Sequence, residues 1–96
     1  MMYLVLVELN ARPADQYPDL EKAIKALGNW STRMRGVWMV ESRFTAAQIR
    51  DLLKPGLDAT KDKLFVSRMT PTWSGTGLGQ GFPEWMERRK YTVGKK

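Results

Sequence analysis

Cysteine and histidine are both missing from this chain of 96 residues. Their absence removes disulfide staples, thiol nucleophiles, zinc sites built from Cys and His, and imidazole acid–base chemistry. Any catalysis would fall to carboxylates. Long apolar runs are also lacking, and nothing approaches the roughly 20 residues needed to span a bilayer as a helix. The opening MMYLVLVELN has neither the basic n-region nor the small-residue cleavage site of a secretory signal, so a cytoplasmic address is expected. Acids are the scarcer charge, with ten Asp and Glu against sixteen Lys and Arg and a formal net charge of +6. Such a surplus suits a surface that meets polyanions; the plainer alternative is that it only aids solubility. A hydrophobic fraction of 43% is ordinary for a globular chain. At this length one domain is expected, with much of its apolar surface exposed unless another subunit covers it.

Period-2 alternation in Met2 to Asn10 puts Tyr3, Val5, Val7 and Leu9 on one face and Leu4, Leu6 and Glu8 on the other. Both faces are apolar, which predicts a central strand. Asp15-Gln16-Tyr17-Pro18 opens a helix, because proline is tolerated in a first turn and acids there suit the helix dipole. Its buried side is Leu20, Ala23, Ile24 and Leu27, and Gly28 is expected to stop it. Asn29 to Met34 and Val37 to Glu41 read as a hairpin around Arg35-Gly36. Thr45-x-x-Gln48 is a capping box, in which hydroxyl and amide each satisfy a backbone donor left free at a helix start. Ile49, Leu52 and Leu53 form the stripe behind it, Pro55-Gly56 ends it, and Lys63 to Met69 gives a fourth strand.

The predicted order is strand, helix, strand, strand, helix, strand, an α+β ferredoxin-like βαββαβ sandwich. Helices cover one face of such a sheet and leave the other open. Because the first strand is apolar on both sides, a two-fold homodimer through the open face or edge is expected. The domain is placed at 1–70 and a C-terminal extension at 71–96, comprising the Gly-rich stretch GTGLGQG, a short helix from Pro83, and the basic segment KYTVGKK, which frays or adds an edge strand.

Two motifs fail on inspection. Arg35-Gly36-Val37-Trp38-Met39-Val40 begins like the base-stacking strand of RNA-recognition domains, but Val37 and Met39 stand where aromatics are required. Trp38 then belongs to the core. GTGLGQG lacks the Gly-Lys-Ser/Thr ending of a nucleotide-triphosphate loop and follows no first strand, leaving a flexible connector. The remaining candidate is Glu8 with Asn10. One carboxylate from each of two symmetry-related chains can share a divalent ion such as Mg²⁺ or Mn²⁺, which takes oxygen ligands and retains waters. The competing assignment is a solvated strand end, with Glu8 paired to one of the many basic residues.

Tyr3-Leu4-Val5 through Glu8-Leu9-Asn10, Leu27-Gly28-Asn29-Trp30, Val37-Trp38-Met39-Val40, Asp51-x-Leu53-x-Pro55 and Asp62-Lys63-Leu64-x-Val66 follow one another in a distinctive order. Over Met2 to Met69 that order resembles the small CRISPR-associated endoribonuclease family, which includes the spacer-acquisition adaptor and relatives described as SinR-like and virulence-associated protein D. Trp73-Ser74-Gly75 and the helix after it are similar to the carboxyl end of the stand-alone, non-CRISPR branch. The resemblance implies a homodimer of ferredoxin-like subunits with metal-dependent nuclease activity on RNA or DNA. The family's acid is an aspartate near the end of strand one, where this chain has Glu8, and Asn10 fits a second polar position. The additional methylene moves the carboxylate outward, so Glu8 is either a substitute ligand or the mark of a member that binds without cutting.

Phosphate contacts are expected from Arg33, Arg35 and Arg43 around the hairpin and from Arg88, Arg89 and Lys90 in the tail, since the planar guanidinium donates bidentately. Three functions follow: a metal-dependent phosphodiesterase using Glu8, a non-catalytic nucleic-acid adaptor, or a protein-interaction module of a toxin–antitoxin or phage system.

Overall fold

The computed structural model describes residues 1–91; residues 92–96, most of the KYTVGKK segment, lie outside the described residues. Four strands, β1 (Met2–Glu8), β2 (Gly28–Met34), β3 (Val37–Ser42) and β4 (Lys63–Arg68), form one antiparallel sheet in the order β2-β3-β1-β4. Helices α1 (Pro18–Lys25) and α2 (Ala46–Leu53) follow β1 and β3, and α3 (Phe82–Glu87) lies in the tail. This α+β arrangement is compatible with the ferredoxin-like order. β1 is central as expected, with Val5 paired to Trp38 on one side and to Val66 on the other. Among the described residues no helix is long and apolar enough to cross a membrane.

Alternation along β1 builds two cores. Tyr3 and Val5 join Trp38 and Val40 of β3 beneath Leu20 and Ile24 of α1 and Ile49 and Leu53 of α2. Fully burying each large aliphatic side chain there contributes about 1.5–3 kcal/mol. The capping box forms as the sequence predicts: the Thr45 hydroxyl accepts from the Gln48 backbone N–H at 3.1 Å and the Gln48 side chain accepts from the Thr45 N–H at 2.9 Å. Leu52 departs from its predicted stripe and is 48% exposed, since Ile49 and Leu53, four residues apart, already fill the contact with the sheet. Gly28 is not the helix stop. α1 ends at Lys25, and Gly28 opens β2 at φ 156, where a Cβ would collide with the Glu41 carbonyl oxygen.

The second face of the sheet is not left open by its own chain. Met2 and Met39 are buried there beneath Phe82 and Met86 of α3, with Trp73, Leu78 and Trp85 packed around them. A short helix suffices because Phe82 and Met86, at i and i+4, descend from one side of it. Trp73 meets Phe82 edge-on with ring centroids 5.5 Å apart. The tail is therefore a cover for the sheet and not a mere appendage. It stops short of the far end of the face, where Leu6 pairs with Val37 and Phe65, and Phe65 is 61% exposed.

Candidate nucleic-acid interface and the carboxylate of the first strand

Glu8 ends β1 opposite Lys63, the first residue of β4. Its carboxylate accepts from the Asn10 side-chain amide at 2.8 Å and lies 3.6 Å from the Lys63 ammonium. The Asn10 amide foremost, and Lys63 next, hold the Glu8 carboxyl below its ordinary range. That amide group also donates to the Lys61 carbonyl at 2.9 Å, which fixes its nitrogen toward Glu8 and turns its oxygen away. Within one protomer the donors do not fit a divalent ion: a single carboxylate faces an N–H group and an ammonium. No group of three or more acids stands close enough to hold a metal among the described residues.

The residue that organises this end of the sheet is Asp62, which sequence reasoning passed over. One oxygen accepts from the Asn10 and Ala11 backbone N–H groups at 2.7 and 3.0 Å and from the Tyr17 hydroxyl at 2.9 Å; the other accepts from the Asp58 N–H at 2.8 Å. Desolvation raises the Asp62 pKa, but the backbone and hydroxyl donors together outweigh it and bring it down from 3.8 to about 2. A carboxylate thus ties the loop after β1 to the loop before β4, and only the sequence spacing of Asp58 and Asp62 hinted at a structured turn. Because the folded-state pKa is depressed, this contribution to stability is complete above pH 3.8 and disappears as pH falls toward 2. Asp62→Asn turns an amide N–H toward the same donors, and we expect its melting temperature to fall by about 10 °C at neutral pH. Its further loss between pH 4 and 2 should be smaller than that of wild type; parallel acid profiles would contradict the assignment.

The six predicted cations do not form one patch. Arg33 is exposed but engaged by its own chain, donating to the Leu78 carbonyl at 3.1 Å and lying over the Phe82 ring, so it fastens the tail. Arg89 is likewise engaged: it faces Glu41 at 3.4 Å, its side chain is 12% exposed, and it stacks on Trp85. Glu41 also accepts from the Asn29 amide and from the Lys90 backbone N–H at 2.6 Å, so it joins β2, β3 and the end of α3. Desolvation acts against the Glu41 charge, yet these donors and Arg89 bring its pKa below the ordinary value.

Arg35 sits in the hairpin turn and Arg43 beyond the opposite end of β3, separated by roughly 20 Å of strand at ~3.3 Å per residue. Arg43 and Lys90 line one side of a groove of about 490 Å³ together with Gly28, Asn29 and Ser42. Arg88, exposed at the end of α3, stands two residues before Lys90. The side chains of Arg43, Arg88 and Lys90 make no hydrogen bond or ion pair to a described residue, whereas the acid beside them, Glu41, is already neutralised by Arg89. This end of the sheet therefore carries unspent positive charge beside a groove. No protein-family model matches the chain, and neither does any curated protein.

Proposed function

We propose that the protein is a dimeric nucleic-acid-binding module that grips phosphate backbone, acting as an adaptor in the cytoplasm. The observation that carries this reading is that Arg43 and Lys90 line one groove, with exposed Arg88 two residues away in sequence from Lys90, and that none of the three side chains has a hydrogen-bond or ion-pair partner among the described residues of a chain of net charge +6. The order of sequence motifs shared with the CRISPR-associated endoribonuclease family supports it. For the second subunit, exposed Phe65 beside the half-buried Leu6 and Val37 offers an apolar strip bordered at one end by the Glu8–Lys63 pair. Pairing two such strips about a two-fold axis would cover Phe65 in both copies.

A second reading, a nuclease dependent on Mg²⁺ or Mn²⁺, draws support from the position of Glu8 beside that same strip, where a two-fold axis would bring both carboxylates together. It requires each Glu8 to exchange Asn10 and Lys63 for the ion, which ranks it below the adaptor. A protein-interaction module would use the strip and leave the cations idle. One preparation separates the three. Sedimentation should report two subunits per particle, and labelled RNA and DNA duplexes incubated with Mn²⁺ should be bound and recovered intact. Cleavage abolished by Glu8→Ala would replace the adaptor with the nuclease, and failure to bind any duplex would leave the protein-interaction reading.

A further inference from the structure

A second recess lies away from the cationic groove, between the helix-covered face of the sheet and α1. It has a volume of about 300 Å³, at the low end for small-molecule sites, and so suits a group of nucleotide size. Val7, Leu9, Leu20, Ile24, Met34 and Trp38 make its walls apolar. Met34 is 51% exposed for a large apolar side chain, so part of that wall faces solvent. Two kinds of charge meet at the rim: Asp15 and Glu21 on the α1 side, Arg35 on the hairpin side. Glu21 is engaged by Lys25 at 3.7 Å, whereas Asp15 and Arg35 have no ion-pair partner among the described residues. A carboxylate is a poor neighbour for phosphate in a protein that binds nucleic acid, unless it reads a part of the ligand that donates.

We propose that this recess holds one unpaired guanine of the bound strand. Guanine is the base whose edge presents two adjacent N–H donors, N1–H and the N2 amino group, that a single carboxylate can accept together; Asp15 is the acceptor. The apolar walls take the ring faces, as side chains do for splayed bases in single-stranded recognition. Arg35 holds the phosphate attached to that nucleotide through charge-assisted hydrogen bonds. Uracil and adenine cannot satisfy Asp15 in this way, and cytosine offers only its exocyclic amine. The inference rests on the nucleic-acid reading above but uses other residues, so the two fail separately.

The test is titration of the full-length protein with GMP, AMP, CMP and UMP, followed by tryptophan fluorescence and by backbone amide NMR shifts. GMP should bind at least tenfold more tightly than the other three and shift Trp38, Thr32 and Gly36. Asp15→Asn should abolish that preference and leave duplex affinity within twofold of wild type, because Asp15 is exposed, unpaired and remote from Arg43 and Lys90. Arg35→Gln should weaken GMP about tenfold and leave guanosine, which lacks the phosphate, unchanged. Equal binding of all four nucleotides, no binding at millimolar concentration, or an unaltered preference in Asp15→Asn would overturn the proposal, even with duplex binding intact.

Discussion

Reversing the charges at Arg43 and Lys90 together should lower affinity for a 20-base-pair duplex at least a hundredfold near 0.1 M salt. Phosphate contacts act largely through the release of condensed counterions, and each one contributes about −0.9 to the slope of log affinity against log salt. The double variant R43E/K90E should therefore lose about 2 units of slope as well as affinity. The partner to this experiment is Arg33, also an arginine near the hairpin but committed to the Leu78 carbonyl and the Phe82 ring. Arg33→Gln should reduce thermal stability while its salt slope stays that of wild type. Equal losses of slope in both variants would mean that the binding surface includes Arg33 and that the division between free and engaged cations is wrong.

Phe82→Ala should destabilise the fold by about 3 kcal/mol, the lower end of the range for a buried aromatic, and lower the melting temperature by some 10–20 °C. The ring is 1% exposed. It sits over Met2 and Met39, meets Trp73 edge-on, stacks near Trp85 and carries the Arg33 guanidinium above it. Its loss would leave a hole bounded by flexible methionines and weaken the cover that the described residues provide over that half of the sheet. Calorimetry measures the effect, and increased binding of a hydrophobic dye would report the uncovered Met2 and Met39. An unchanged melting temperature would return the tail to the status of an appendage.

The framework of the protein was legible because its signals are local. Alternation on both faces of β1, the Thr45–Gln48 capping box and the Arg35-Gly36 turn each depend on residues within a few positions of one another, and each has its counterpart in the structure. Leu52 misled because a helix stripe read from spacing says nothing of how wide the contact is, and α2 packs on the core through Ala46, Ile49 and Leu53. The tail misled for a different reason. Glycine-rich composition after Thr70 marks a connector, but the pairing of Phe82 and Met86 with Met2 and Met39 spans most of the chain and leaves no periodic trace.

Charges were the least legible layer. Arg33, Arg35, Arg43, Arg88, Arg89 and Lys90 look alike in sequence, and only tertiary contacts divide Arg33 and Arg89, which hold the tail, from those left facing solvent. Glu8 and Asn10, singled out as candidate site residues two apart at a strand end, are hydrogen-bonded to each other. Their link to Lys61, Asp62 and Lys63 depends on β1 pairing with β4 and could not be read from either segment alone.

Affinity of the unmodified protein for a 20-base-pair duplex, measured from about 0.05 to 0.3 M salt, is the most direct test of backbone binding through Arg43, Arg88 and Lys90. Three contacts predict a log–log slope of about −2.7 per protomer for a duplex. A slope near zero, or no binding at the lowest salt, would contradict the account.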